Sequence, residues 1–295
     1  MNPAVAARRK KPDIMRAFFF PRTYLRPAGP TGDVNRCRLR LLPGLLPILV
    51  AAGHGALIAG LLSIITTLSL VLPVWGAPPR PETLHYRVEA PLFHNAGRAV
   101  VSLRRLGPDL YEGEISGETS GAIALFSGRR RDRHRTTMRL QQGQLKPLLY
   151  IEESWVGEKH LYKEYRFAYD QRRLEMWRLG QDGALVQKWE TELHEPIFDP
   201  ISAFYNFRCG GFGELKAGET LSITGIPYPR PETILIHLGP QEAGRRQATV
   251  TIRQRPFENE IGLVHVQFDD VLVPLSAWTR VALFGKLSGR LVGQY

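Results

Sequence analysis

"HEPIFDPISAFYNFR", residues 194–208, interrupts a chain that beyond residue 80 alternates apolar and polar side chains along most of its length. Two readings of this stretch lead to different proteins. In one, His194, Glu195 and Asp199 gather a metal ion; in the other, the stretch is an apolar helix on which a curved sheet closes. Zinc needs three or four ligands converging at about 2 Å, and on a helix they stand three or four residues apart. His194 and Glu195 are adjacent and precede Pro196, so in extended chain their side chains diverge. Asp199 followed by Pro200 is a helix start: the aspartate accepts from an orphan backbone N–H, and proline suits the first helical position. Ile201, Phe204, Tyr205 and Arg208 then recur at helical spacing, with Gly210 and Gly211 placed to end the turn. The stretch predicts one short helix near residues 199–208, no metal and no cofactor. No HExxH, paired CxxC or acidic calcium loop occurs elsewhere. Cys209, directly after the helix, reads as a small buried hydrophobe.

Around this helix the pattern is that of strands. In "TLHYRVEA", residues 83–90, Leu84, Tyr86 and Val88 share one face while His85, Arg87 and Glu89 share the other. In "RQATVTIRQ", residues 246–254, Ala248, Val250 and Ile252 oppose Gln247, Thr249, Thr251 and Arg253. Such alternation describes a sheet with one wet face. Further runs span 99–106, 110–115, 134–140, 148–155, 161–169, 174–179, 185–193, 221–224, 234–238, 264–268 and 278–291, separated by turns such as "LGPD", "QQGQ", "VGEK" and "GQDG". About a dozen strands in succession do not stay flat. The fold expected is mostly β: a curved antiparallel sheet forming a barrel or half-open barrel. Gly285 and Gly289, four apart in the last run, suit a sharply coiled strand.

The N-terminal part is of another kind. No charged side chain occurs from Leu41 to Pro79, and Ala56 to Leu72 is nearly unbroken hydrocarbon, about the ~17–25 residues a bilayer requires. Residues 1–40 hold ten Lys and Arg against two Asp, the asymmetry that keeps an N-terminus cytoplasmic and sends the remainder outward. Residues 1–76 are expected to be a basic region and export helix, with cleavage about Gly76, and residues 77–295 a single exported domain in the periplasm. The alternative is an uncleaved anchor in the inner membrane, facing the periplasm. Of the +11 net charge, +8 belongs to residues 1–40 and +3 to the rest, which removes the charge argument for nucleic acid. The only cysteines are Cys37 and Cys209, so the exported part has no internal disulfide and relies on its core.

"SGRRRDRHRTTMRL", residues 127–140, concentrates cations, among them Arg130, Arg131 and Arg133. Guanidinium groups grip phosphate, an acidic glycan or anionic lipid headgroups bidentately; the plainer reading is a solvated loop leading into a strand. Glu152 and Glu153 are neighbours in a strand and face opposite ways, so a glycosidase pair would have to be assembled from separate strands. Trp155, Trp177, Trp189 and Trp278 read as core fillers. No GxSxG elbow, P-loop or dinucleotide fingerprint is present.

Taken in order, the export signal, "LHYRVEA" at Leu84, "LKPLLYIEE" at Leu145, "FDPISAFYNFR" at Phe198, "LVPLSAWTR" at Leu272 and "LFGKLSGRL" at Leu283 resemble the bacterial secreted family known as domain of unknown function 3108. The resemblance extends over about residues 84–291. It implies a periplasmic or cell-envelope protein of a Gram-negative-type bacterium with a curved β architecture, and it brings no catalytic residues. The function expected is non-catalytic binding of an apolar or amphipathic ligand, a lipid or a lipoprotein partner, with Phe204 and Tyr205 at the lid or floor of the site. The alternatives are an envelope enzyme acting on anionic glycan and a structural interaction module.

Overall fold

Alternating side chains build strands throughout the part of the chain that the computed structural model describes: residues 78–91, 93–226, 230–257, 260–281 and 285–295, the side chains of 252–261 and 281 excepted. The expected export helix and the expected cleavage about Gly76 fall outside these residues. Among the described residues no helix is long and apolar enough to cross a membrane.

The chain forms β1 (Glu82–Ala90), β2 (Phe93–Arg105), β3 (Leu110–Thr119), β4 (Arg131–Gln141), β5 (Gln144–Val156), β6 (Lys159–Ala168), β7 (Arg173–Leu179) and β8 (Leu185–Glu192). Helix α1 (Gly121–Ser127) lies between β3 and β4, and helix α2 (Pro200–Arg208) follows β8. A second run completes the fold: β9 (Thr220–Gly225), β10 (Glu232–Glu242), β11 (Arg245–Phe257), β12 (Glu260–Phe268), β13 (Pro274–Val281) and β14 (Gly285–Gln294).

All fourteen strands join one antiparallel sheet. Its order runs from β8 down to β1, then from β14 down to β9. Each strand pairs with its neighbour in sequence except at the centre, where β1 meets β14, Tyr86 opposite Leu291 and Val88 opposite Gly289. The sheet is therefore open, with β8 and β9 as its edges. Phe198, between β8 and α2, covers one end of the β9 edge: its N–H donates to Thr224 O at 2.9 Å and its carbonyl accepts from Ile226 N–H at 2.8 Å.

The sequence anticipates the sheet, the helix at Asp199 and the two faces of β1. It misses α1, so the described residues hold two helices where one was expected. It also treats 278–291 as a single strand, whereas β13 and β14 are separate. Gly285 opens β14 with a left-handed backbone (φ 66°) and so serves the turn; Gly289 alone sits inside the strand.

The inward side chains form three clusters. One lies mainly on β1 to β8 and includes the fully buried Tyr111, Tyr150, Tyr165 and Leu84. A second, on β9 to β12, includes Ile223, Ile236, Leu238 and Phe268. Helix α2 stands between them. Ile201 and Tyr205 join the first cluster, Ala203 and Phe207 the second, and Phe204 touches both. The sheet thus wraps around α2, and each large side chain so buried contributes about 1.5–3 kcal/mol. Gly113 on β3 is what lets the helix approach, since a methyl group there would overlap Ile201. A third, smaller cluster holds Ile123 of α1 against Val88, Ala96, Ala99 and Leu287.

Candidate functional site

Three polar attachments fix α2 against the concave face. At its start Asp199 accepts from the N–H groups of Ile201 (2.9 Å) and Ser202 (3.1 Å), as a cap should, and its other oxygen accepts from the Thr136 hydroxyl on β4 (3.0 Å). At mid-helix the Asn206 side chain accepts from Leu145 N–H (2.7 Å) and donates to Leu145 O (2.8 Å), imitating a strand partner for β5. At the end Arg208 pairs with Glu82 of β1, donates to Leu272 O at 2.7 Å and lies over the Phe204 ring. Asp199 is wholly buried, and burial raises its pKa, while bonds from Ser202, Thr136 and Ile201 hold it down in part.

These attachments seat the helix on β3, β4 and β5. On the opposite side, toward β9 to β14, a space is left. It is an apolar cavity of about 240 Å³, walled by Pro200, Ala203, Phe204 and Phe207 from the helix, by Tyr86, Val88, Val101 and Ile115 from β1 to β3, and by inward side chains of β9 to β14 from Ile223 to Gly289. Every described lining residue is apolar except Tyr86, whose hydroxyl is already committed to Pro274 O at 3.0 Å.

Of the residues the sequence singles out for ligand contact, Phe204 lines this cavity. Tyr205 does not: it points to the other side of α2, into the core with Met138 and Tyr111. Residues 129–135 are not a solvated loop, because β4 begins at Arg131 and alternation divides the cations between faces. Arg130 is buried in a pair with Asp132 at 2.6 Å, beside Ser154. Arg131 is exposed over the Trp155 ring, and Arg133 pairs with Glu114 at 2.7 Å on the outer face. The three do not form one grip.

The tryptophans also depart from expectation. Trp189 packs on the core, whereas Trp155 stacks on His160, Trp177 donates to Glu175 and Trp278 stacks on His265, all on the outer face. The concave carboxylates are engaged: Asp132 with Arg130, Glu152 with Lys163 at 2.7 Å, and Asp199 in its cap. Burial raises the Cys209 thiol to about 11, the reverse of what a nucleophile needs. Among the described residues no group of three His, Cys, Asp or Glu side chains is arranged to hold a metal.

Residues 83–238 match the family described as "Protein of unknown function (DUF3108)". The chain belongs to this family. The DUF3108 match runs from within β1 to within β10 and carries α1 and α2, and so includes Phe204 and the attachments of α2 except Glu82 and Leu272; it stops short of the "LVPLSAWTR" and "LFGKLSGRL" runs. No curated protein matches. Among solved structures the chain is similar to a β-barrel-like protein of domain of unknown function DUF1849 from Brucella abortus, with a TM-score of 0.48 and 10% identity, over 72% of this chain and 96% of that one.

Proposed function

We propose that this DUF3108 protein works in the bacterial cell envelope by binding an apolar chain or ring system, without catalysis, in the cavity beside α2. The observation that carries this reading is the cavity itself. At about 240 Å³ it is larger than the ~150 Å³ hydrocarbon cavity that admits benzene. Its wall is partly open to solvent, Phe204, Val250 and Val266 being only half-buried, so apolar surface stands in water there at about 25 cal/mol per Å². A hydrocarbon occupant takes that surface out of water, and a polar one finds no partner in the wall. The charge-free run at 41–79 and the basic residues ahead of it support export to the periplasm or anchoring beside it.

The test compares wild type with Ala277→Phe. Ala277 faces the cavity from β13, opposite Val266 and Gly289, so a ring placed there occupies the space. Both full-length proteins, purified identically, are extracted with organic solvent and the extracts weighed by mass spectrometry. An apolar compound retained by wild type and depleted from the variant is the expected result. Equal content in both proteins, or none in wild type, overturns the reading.

A further inference from the structure

At the end of the sheet where β3 turns toward β4, the short helix α1 is fastened at three points. Ile123 is buried in the small cluster on β1, β2 and β14, the Ser120 hydroxyl donates to Asn95 O at 2.9 Å, and Ser127 bonds Thr119 at 2.9 Å. Gly128 closes the helix in the left-handed region, its N–H meeting Ala124 O. This anchoring turns two large apolar side chains outward. Leu125 is 69% exposed and Phe126 66%, adjacent to one another, among the most exposed large hydrophobics described. A folded chain has no structural use for such a pair, and solvation disfavours it.

The surroundings supply the complementary chemistry. Leu125 shares a groove with Arg129, Arg131 and Trp155. Both arginines are exposed, and among the described residues neither has an ion-pair partner; Arg131 instead lies 5.8 Å from the Trp155 ring centroid. The neighbouring acids are largely engaged: Glu118 pairs with Arg98 and Asp132 with Arg130, leaving Glu158 beside Lys159 in the β5 to β6 turn. Apolar tips flanked by free guanidinium groups and an indole match the layered chemistry of a membrane surface, hydrocarbon below and phosphate above.

We propose that this end of the sheet docks on an anionic lipid bilayer, Leu125 and Phe126 entering the headgroup layer while Arg129 and Arg131 pair with phosphates. The inference rests on α1 and its arginines, not on the cavity beside α2, and either stands without the other. A surface contact of this kind is reversible, because two side chains and two charges bind far more weakly than a spanning helix.

The test is amide hydrogen exchange on the full chain reconstituted in nanodiscs of phosphatidylcholine, with and without phosphatidylglycerol. The apolar run at 41–79 is present in every sample, so differences at residues 121–131 report α1 alone. Exchange there slows when the anionic lipid is included. Arg129→Glu with Arg131→Glu abolishes the headgroup dependence, and Leu125→Ser with Phe126→Ser abolishes the slowing itself. Arg139→Glu, at the far end of β4, and Ala277→Phe both leave it intact, which keeps this result separable from that for the cavity. Exchange indifferent to lipid charge overturns the proposal. So does slowing that appears without lipid and grows with protein concentration, which would assign the surface to a second copy of the chain.

Discussion

Asp199 is buried completely, yet it serves as an acceptor for two helix N–H groups and for Thr136. Removing it strips α2 of its cap and takes the acceptor from the N–H groups of Ile201 and Ser202, while the Thr136 hydroxyl keeps Leu149 O, so Asp199→Ala is expected to lower stability by about 1–3 kcal/mol, read as a shift in denaturant midpoint. Asp199→Asn keeps the cap acceptor and loses less. The two proteins also differ in pH response. Because burial raises the native pKa of Asp199 above its unfolded value, the native state binds the proton more tightly. Between those two values stability then falls as pH rises, and the penalty persists above them. Asn has no such penalty, so the stability of wild type relative to Asp199→Asn should decline as pH climbs out of the ordinary aspartate range. A flat difference would show that the capping bonds fully compensate burial. The Asp-Pro pair made this residue's role legible in the sequence, since a cap is local. Its bond to Thr136, 63 positions away, was not, because no spacing rule connects a helix start to a particular strand.

At the scale of elements, α2 is held by polar attachments on one flank and bounds a cavity on the other. Asn206 shows how much depends on this. It is buried and satisfies both backbone groups of Leu145, and Asn206→Ala leaves a buried N–H and a buried carbonyl unpaired. The expected cost is about 2–4 kcal/mol, seen as a lower midpoint with unchanged denaturant slope. Asn206→Asp, which keeps the acceptor but loses the donor, should fall between. The helix itself was readable from 3.6-residue spacing, which set Phe204 and Tyr205 on one stripe. The turning of Tyr205 into the core was not, because a helix enclosed by sheet on two sides buries more than one stripe. α1 escaped for another reason. Seven residues are too few to display a period, and "SGAIALFS" between two strands carries no capping signal strong enough to stand alone.

For the whole molecule, alternation along each strand gave the inward and outward faces of β1 and β11 correctly, since it reports a local environment. The meeting of β1 with β14, and the exposure of β8 and β9 as edges, are pairings between distant segments that alternation does not encode. The open sheet therefore has two ends to protect from pairing with other chains. The β9 end is partly covered by Phe198. At the other end β8 pairs, among the described residues, only with β7, and Leu185 and Val186 are exposed. What distinguishes β8 from an adhesive edge is its charge: Lys188, Glu190 and Glu192 within "LVQKWETE", the kind of side chain that discourages edge-to-edge addition. Replacing two of them, Lys188→Val with Glu190→Val, leaves a nearly continuous apolar run from Leu185 to position 190 on a free edge. The doubly substituted protein is expected to keep its circular dichroism spectrum while its mass by light scattering rises with concentration beyond that of wild type under identical conditions. If the mass follows wild type instead, the charges are not what guards this edge, and its protection must come from the twist of the sheet or from chain lying outside the described residues.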